Sequence, residues 1–355
     1  MAKNTSGYKN REFLQLGEVY TDQHIGGWYA SEKLDGVRCF WDGGITRGMR
    51  MEDVPFANME RKDHLVDQHF ATGLWSRYGN IWHAPDWFLD ALPKIPLDGE
   101  LYLGPKRFEE TVSIVRSHDS GGRWSEITYK VFETLSLEEV FQMGMVNNPN
   151  FVKLIGPDIL PWVLGRSEQF GVKNIPKRQF LTQLKLLEMF VPENEFIRIH
   201  NQIELNRKET VAKEQINALL SEVLGNGGEG LILRDPMASW APKRCKHILK
   251  IKDKLDSEGK VVGYISGLGK LQGMIGALIV EWQGKRFNLS GFDDSERVVS
   301  ERVAAWCRAN PDMELPDGME SYIFPIGSVV TFQYASLTTQ GIPREARFLR
   351  KWKEV

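Results

Sequence analysis

Residues 32–38 (EKLDGVR) combine a lysine with two acidic side chains and an arginine. A lysine amine attacks phosphorus only when it is neutral. Because its unperturbed pKa is about 10.4, a site must lower that pKa by desolvation or by nearby positive charge. Asp35 and Gly36 would shape the turn after Lys33, and Arg38 could hold a phosphate through paired hydrogen bonds. Since many such strings are solvated turns, this segment alone leaves a nucleophilic lysine and a surface turn as alternatives.

Two further segments each place a glutamate beside glycine. Glu100 ends the Asp-Gly-Glu run at 98–100, and Glu229 lies between two glycines. Glycine lets a backbone approach its neighbour closely, and carboxylate oxygens beside nucleotide phosphates are ligands that Mg²⁺ prefers. The pattern favours a metal–phosphate site, with a surface carboxylate on a turn as the alternative for each glutamate.

The densest positive run in the chain covers residues 243–254. Strand alternation places Lys250 and Lys252 on one face with Ile251 opposite, and two cations on one face repel each other unless an anion lies between them. The run therefore predicts a strand beside a phosphate site, or else a solvated basic face. Phe132 suits either stacking on a purine ring or packing in a core.

Hydrophobic periodicity outlines the elements that must hold these residues. In the first two thirds of the chain it predicts strands at 28–41, 97–103, 127–135, 230–233 and 247–251, and helices at 108–116 and 210–224. Gly225 is the predicted C-terminal cap of the second helix.

The last third of the chain has a different pattern. A polar stretch at 254–260 (KLDSEGK) is the predicted linker. It precedes short strands at 261–265, 277–282, 287–289 and 329–334 and one helix at 295–308. This pattern predicts a small Greek-key barrel such as an OB-fold, with a β-sandwich as the alternative.

Bulk properties limit the classes of protein that fit. The 355 residues carry a net charge of -2, so any phosphate-binding surface must come from local clusters of basic residues. Three cysteines without metal-ligand spacing predict free thiols in a reducing compartment. No apolar run approaches the roughly 18 to 20 residues of a membrane helix. We therefore expect a soluble, cytoplasmic monomer.

The order of the motifs resembles the covalent nucleotidyltransferase superfamily of ATP-dependent DNA ligases, RNA ligases and mRNA capping enzymes. The resemblance runs through Lys33-x-Asp35-Gly36-x-Arg38, Thr46-Arg47-Gly48, Asp98-Gly99-Glu100, Val131-Phe132-Glu133, Glu229-Gly230-Leu231 and Leu249-Lys250-Ile251-Lys252. It is strongest with the minimal DNA ligases of phages and bacteria. It implies an α+β fold with two domains. Residues 1–254 would form a nucleotidyltransferase (adenylation) domain, with ATP-grasp-like antiparallel sheets and helices, and 255–355 an OB-fold β-barrel.

The same resemblance implies a DNA ligase that seals 5′-phosphate/3′-hydroxyl nicks in duplex DNA through a Lys33–AMP intermediate, with ATP and Mg²⁺ (or Mn²⁺) as cofactors. It implies that the nucleotide is contacted by Ser31, Glu32, Arg38, Arg47, Glu100, Phe132, Lys250 and Lys252. The implied metal ligands are Glu100 and Glu229. The implied contacts to nicked DNA are Arg47, Lys243, Arg244, Lys270, Arg344, Arg347 and Arg350.

One motif of the superfamily is missing. Larger ligases end in Arg-x-Asp-Lys, which orients the pyrophosphate leaving group, whereas residues 352–355 (WKEV) stand at that place here. The candidates to replace it are Arg347, Arg350, Lys351 and Lys353. Two alternatives stay open: an RNA ligase or capping-type nucleotidyltransferase on the same nucleotide site, and a non-catalytic OB-type single-strand binder built on some of the eleven tryptophans.

Overall fold

The structure is a computed structural model. It describes residues 14–54, 56–57, 70–117, 122–139, 141, 159–252, 255–334, 336–338 and 340–351. Packing divides the chain into two compact units, Met1–Ile251 and Lys252–Val355, called here the N-terminal unit and the C-terminal unit. The candidate Lys353 lies outside the described residues. No described helix is long and apolar enough to cross a bilayer.

The N-terminal unit contains two five-stranded sheets. The first has the order β1-β10-β9-β2-β8 and the second β4-β3-β5-β6-β7. Their strands are β1 (Leu16–Val19), β2 (Tyr29–Glu32), β3 (Val37–Asp42), β4 (Leu74–Trp75), β5 (Pro96–Tyr102), β6 (Thr128–Thr134), β7 (Ile197–Ile199), β8 (Ile203–Glu204), β9 (Gly230–Arg234) and β10 (Arg244–Lys252). The pairs β2–β8, β2–β9, β3–β4, β3–β5 and β5–β6 are antiparallel, and the pairs β1–β10 and β6–β7 are parallel.

Five described helices accompany these sheets. They are α1 (Asp86–Asp90), α2 (Phe108–Arg116), α3 (Ile159–Gln169), α4 (Phe180–Phe190) and α5 (Glu209–Gly225). Apolar side chains of α2 and α4 pack on the second sheet in one core cluster, which includes Ile114, Val131 and Leu187. Ala212 and Ile216 of α5 pack on the first sheet. Each sheet is thereby covered by a helix that buries its apolar side chains, and α2 and α5 lie where helices were predicted at 108–116 and 210–224.

The C-terminal unit is a closed barrel. Its strands are β11 (Leu255–Ser266), β12 (Ile275–Trp282), β13 (Lys285–Leu289), β14 (Val329–Tyr334) and β17 (Arg347–Lys351), with a small hairpin of β15 (Ser336–Leu337) and β16 (Pro343–Arg344). The sheet order is β13-β12-β11-β14-β17, and helix α6 (Glu301–Ala309) lies between β13 and β14 in sequence.

A bridge between Ser290 and Arg347 joins the two outer strands of this sheet, and the Phe348 N–H donates to the Ser290 carbonyl at 2.9 Å. A five-stranded Greek-key barrel with this closure is the OB-fold. The α+β fold with a terminal OB barrel is therefore confirmed.

Three local predictions differ from the structure. The predicted linker at 254–260 is wrong, because β11 already begins at Leu255 and pairs with β14 from Leu255↔Tyr334 onward. The predicted helix at 295–308 is shorter, since extended backbone at Val298 and Ser300 separates a 3₁₀ turn from α6. Gly225 is the last residue of α5, and Asn226 is its cap.

Candidate active site

Lys33 lies directly after β2, at the point where β2 leaves its pairing with β9. Its N–H donates to the Gly230 carbonyl at 2.8 Å. Its Nζ forms an ion pair with the Glu229 carboxylate, and both side chains are mostly buried, with 19% and 14% exposure. The first sheet therefore brings together the two residues that the sequence assigned to the nucleophile and to a metal ligand.

Glycines at two turns allow the backbone to approach closely at this point. A Cβ on Gly36 would lie 2.4 Å from the Leu101 carbonyl oxygen and 2.8 Å from Glu100 Cγ. A Cβ on Gly228 would lie 2.5 Å from Val223 Cγ1. Because each distance is below van der Waals contact, larger residues would push β5 and α5 away from the turns that carry Lys33 and Glu229.

Glu100 lies on β5 opposite Arg38 of β3. Burial raises the pKa of Glu100 to about 7. The neighbouring carboxylates of Asp98 and Glu229 raise it further, whereas Arg38 and Lys33 lower it. A carboxyl group with this pKa changes its protonation state around neutral pH, which is common where burial and like charges converge on a functional site.

Arg38 is held by two hydrogen bonds to Asp98. Its Nε and Nη2 donate to the two carboxylate oxygens, each at 2.6 Å, and Asp98 is fully buried. Burial alone would lower the pKa of Arg38, but the Asp98 charge and hydrogen bonds raise it overall. The pair therefore fixes a permanent positive charge in one orientation.

Phe132 packs against two guanidinium groups. Arg38 Cζ lies 4.6 Å and Arg234 Cζ 4.9 Å from the centre of its ring. Arg234, at the end of β9, also forms a buried ion pair with Glu133 at 2.9 Å. Burial raises the pKa of Glu133, and the Arg234 charge opposes that rise. Asp98, Glu133 and Arg234 thus support residues that the sequence singled out.

These supporting residues were missed as site residues. Asp98 and Glu133 belong to the motifs at 98–100 and 131–133. Their place in these motifs was the signal that could have marked them as partners for a cation. Arg234 had no local signal, because only the tertiary packing of β9 brings it beside Phe132 and Glu133.

The other predicted nucleotide contacts lie on the first sheet. Ser31 is buried in β2. Burial raises the pKa of Glu32, and the Lys130 charge lowers it. Lys250 is half-buried in β10, and Lys252 Nζ lies 3.1 Å from a Glu345 carboxylate oxygen.

Arg47 is bound elsewhere in the described structure. It donates to Asp90 at 2.5 Å and Asp86 at 2.6 Å on α1. The turn before Arg47 is organised by buried Asp42, which accepts hydrogen bonds from Thr46, Gly44 and Trp75. The structure therefore gives Arg47 acidic partners and no direct contact with Lys33.

The remaining predicted DNA contacts are basic side chains near the surface. Lys243 and Arg244 are exposed at the start of β10, where Arg244 also donates to the Gly17 carbonyl at 2.6 Å. In the C-terminal unit, Lys270 lies on a 3₁₀ turn, Arg344 on β16, and Arg347 and Arg350 on β17. Their contacts with DNA stay predictions.

The carboxylates near Lys33 fit a divalent cation. Glu229 raises the pKa of Glu100, so the two negative charges are close enough to interact. A hard cation bound by both carboxylates and by phosphate oxygens would relieve that repulsion. Within the described residues, no group of three or more His, Cys, Asp or Glu side chains converges as a metal site formed by protein alone.

The chain thus combines two five-stranded sheets, a mostly buried lysine–glutamate pair and a closed OB barrel. Residues 266–351 match the family described as the DNA ligase OB-like domain. A DNA ligase of Haemophilus influenzae is 26% identical over 341 residues, which cover 96% of this chain and 92% of that protein.

Solved structures agree with this relationship. A structure from a study of minimal-scaffold DNA binding by Lig E DNA ligases superposes with a TM-score of 0.63 at 27% identity, covering 96% of this chain and 98% of that one. The structure described as Pmar-Lig_PreS3 shares the fold, with a TM-score of 0.57 at 17% identity over 95% of this chain and 67% of that chain.

These comparisons confirm the predicted resemblance to DNA ligases. They favour neither an RNA ligase or capping enzyme nor a non-catalytic binder. Several tryptophans, including Trp75, Trp124 and Trp240, are buried in hydrophobic cores, so they do not form a stacking platform on the surface.

Proposed function

We propose that this DNA ligase uses ATP to seal nicks with 5′-phosphate and 3′-hydroxyl ends in duplex DNA, through a covalent Lys33–AMP intermediate. The observation that carries the proposal is the Lys33 amine, held by Glu229 in a mostly buried site that also contains Glu100 and the fixed charge of Arg38. Such a site orients an amine and stabilises negative charge on phosphate oxygens.

The first step forms the enzyme adenylate. Lys33 Nζ loses a proton, attacks the α-phosphorus of ATP and forms an N–P bond, while the bond to the bridging oxygen breaks and pyrophosphate leaves. Glu229 orients the amine, and Arg38 balances charge on the phosphate. Mg²⁺, or Mn²⁺ in its place, would be held by Glu100, Glu229 and phosphate oxygens and would neutralise part of the phosphate charge.

The next two steps transfer and then release AMP. An oxygen of the 5′-phosphate attacks the adenylate phosphorus, and the N–P bond breaks as Lys33 regains a proton. The 3′-hydroxyl then loses its proton and attacks the 5′-phosphorus, so that a phosphodiester forms and AMP leaves. Positioning of the reactants and charge stabilisation supply the catalysis in each step.

The nucleotide contacts in this proposal are the predicted ones, and three features support them. Ser31 and Glu32 directly precede the nucleophile at the end of β2, Lys250 and Lys252 lie on β10, and Phe132 offers an aromatic ring beside Arg38. Arg47 would have to leave Asp86 and Asp90 to reach a phosphate.

Binding of nicked DNA would depend mainly on backbone phosphates. Arg344, Arg347, Arg350 and Lys270 supply positive charge on the OB barrel, so affinity should fall with salt and depend little on sequence. We also propose that the protein acts as a monomer in the cytoplasm. All three cysteines are free and buried, which suits a reducing compartment.

The test compares labelling of wild-type protein, Lys33→Ala and the surface control Lys185→Ala. Each protein is incubated with Mg²⁺ and α-labelled ATP or α-labelled GTP and run on a denaturing gel. Separate samples are assayed for sealing of nicked DNA and nicked RNA. We expect labelling by ATP in wild type and Lys185→Ala and none in Lys33→Ala. Labelling by GTP alone, or unchanged labelling of Lys33→Ala, would contradict the proposal.

A further inference from the structure

The peptide that links Glu32 to Lys33 lies where one side of β2 loses its partner strand. On one side β9 pairs with β2 as far as Glu32. On the other side β8 pairs only with Tyr29 and Ala30. The carbonyl of Glu32 would be left without a strand partner there, yet buried carbonyl groups in proteins are nearly always hydrogen-bonded.

The side chain of His200 takes the place of the missing strand. Its Nε2 lies 2.8 Å from the Glu32 carbonyl oxygen. Because a carbonyl oxygen can only accept, Nε2 carries the proton and donates it. On the other side, the Lys33 N–H donates to the Gly230 carbonyl at 2.8 Å. Both polar groups of the peptide before the nucleophile are thus bound, one by β9 and one by His200.

His200 is itself fixed by the second sheet. It directly follows β7, and its backbone N–H donates to the Val131 carbonyl of β6 at 2.7 Å. The residue is buried, with 8% exposure. One residue therefore connects β6, beside Phe132, with the end of β2, beside Lys33.

The surroundings of His200 keep it neutral. Burial lowers its pKa to about 4; its hydrogen bond to Glu32 opposes the change, and the Lys130 and Arg234 charges add to it. At neutral pH the imidazole is then a constant, uncharged donor.

We propose that His200 is a positioning residue for Lys33: its Nε2–H···O=C bond to Glu32 sets the direction in which Lys33 leaves β2, and so the approach of Nζ to the α-phosphorus. This inference rests on the proposed adenylation of Lys33. It predicts a selective defect in the first step, because only that step uses Lys33 as the attacking group.

The test uses two variants of similar length, His200→Gln and His200→Met. Glutamine can present an N–H donor near the position of Nε2, whereas methionine fills the space without a donor. Three quantities are measured for each: the single-turnover rate of Lys33 adenylation with labelled ATP, the rate of sealing of a pre-adenylated nick, and the melting temperature.

We expect His200→Met to slow adenylation by about 10- to 100-fold, the scale of a misplacement of about 1 Å. Sealing of the pre-adenylated nick should change by less than about threefold, and His200→Gln should recover most of the adenylation rate. Equal loss in both steps, or equal rates for the two variants, would show that His200 has only a structural role.

The outcome for wild type separates this inference from the proposed function. Wild-type protein that takes no label from ATP would overturn the adenylation itself. Wild-type protein that labels normally, with His200→Gln no faster than His200→Met, would overturn only the role of His200.

Discussion

The N-terminal unit holds two largely buried ion pairs beside Phe132, whereas the C-terminal unit carries Lys270, Arg347 and Arg350 on its surface. Arg38–Asp98 and Arg234–Glu133 are ion pairs with buried carboxylates. Lys270 and Asp294 in the barrel are 3.9 Å apart, with 82% and 66% exposure. Buried charges interact strongly and are costly to disrupt, while exposed charges are screened by salt. The first arrangement suits chemistry on one phosphate, and the second suits adjustable binding to many phosphates.

The largest effect is expected when a buried pair is broken. Arg234→Met leaves the Glu133 carboxylate, which is 3% exposed, without its cation. We expect a loss of about 3–5 kcal/mol in the free energy of unfolding, measured by urea denaturation. The control Lys213→Met removes the more exposed Lys213–Asp22 pair and should cost much less, because exposed pairs are screened by solvent. Equal losses in the two variants would contradict the comparison.

A smaller effect should follow from Glu100→Gln, which removes a carboxyl group with a pKa of about 7. If the carboxylate supports adenylation, the wild-type rate should fall as pH drops through about 7. The variant should be slower by about tenfold or more at pH 8, without that step in its pH profile.

The free energy of unfolding should depend on pH in the opposite direction to the adenylation rate. Because folding raises the pKa of Glu100 from its ordinary value, the protonated form favours the folded state. The contribution of this residue to stability therefore decreases as pH rises through the window between that ordinary value and about 7, and is constant above it. Urea denaturation of both proteins across this range should show the stability of Glu100→Gln rising relative to wild type as pH increases. Parallel curves would contradict the assignment.

Removal of two basic residues from the barrel should change salt dependence rather than stability. In the double variant Arg347→Ala/Arg350→Ala, binding to nicked DNA should depend less on salt. The magnitude of the slope of log affinity against log salt should decrease by about 2, since each phosphate contact contributes about 0.9. Arg302→Ala, on the exposed face of α6, is the matched control and should leave the slope unchanged. An unchanged slope in the double variant would place the DNA on another surface.

The smallest effect on folding is expected from Lys270→Ala. Its contact with Asp294 is long and exposed, so the free energy of unfolding should change by less than about 0.5 kcal/mol. If Lys270 contacts a phosphate, the salt slope should still fall by about 1. Binding titrations at several salt concentrations, together with thermal melting, separate these two properties.

Much of the fold could be predicted because local patterns agree with the packing. The alternation around residues 97–103 and 127–135 predicted β5 and β6, and the helical periodicity at 210–224 predicted α5. The linker at 254–260 was wrong because the start of β11 is mostly exposed and polar. Pairing with β14 makes it a strand, and no hydrophobic pattern marks that pairing.

The residues of the candidate site likewise divide into those that the sequence could predict and those that only tertiary packing brings together. Lys33 and Glu229 could be singled out because motif order carries them, and the structure brings them into contact. Arg234 and His200 could not, because each gains its role from residues far away in the sequence. The acidic partners of Arg47 on α1 could not be predicted either, because a surface ion pair between distant segments produces no periodic pattern in the sequence.

Closure of the barrel through Ser290 and Phe348 also has a consequence for folding kinetics. β11, β12 and β13 form a meander of sequence neighbours, and β17 pairs with the nearby β14, whereas the β11–β14 pair and the Ser290–Arg347 bridge join segments far apart in the chain. Contacts of large sequence separation form slowly, because ordering the intervening chain costs entropy first. During refolding, the amide hydrogens that bond β11 to β12 should therefore gain protection from exchange before those that bond β11 to β14.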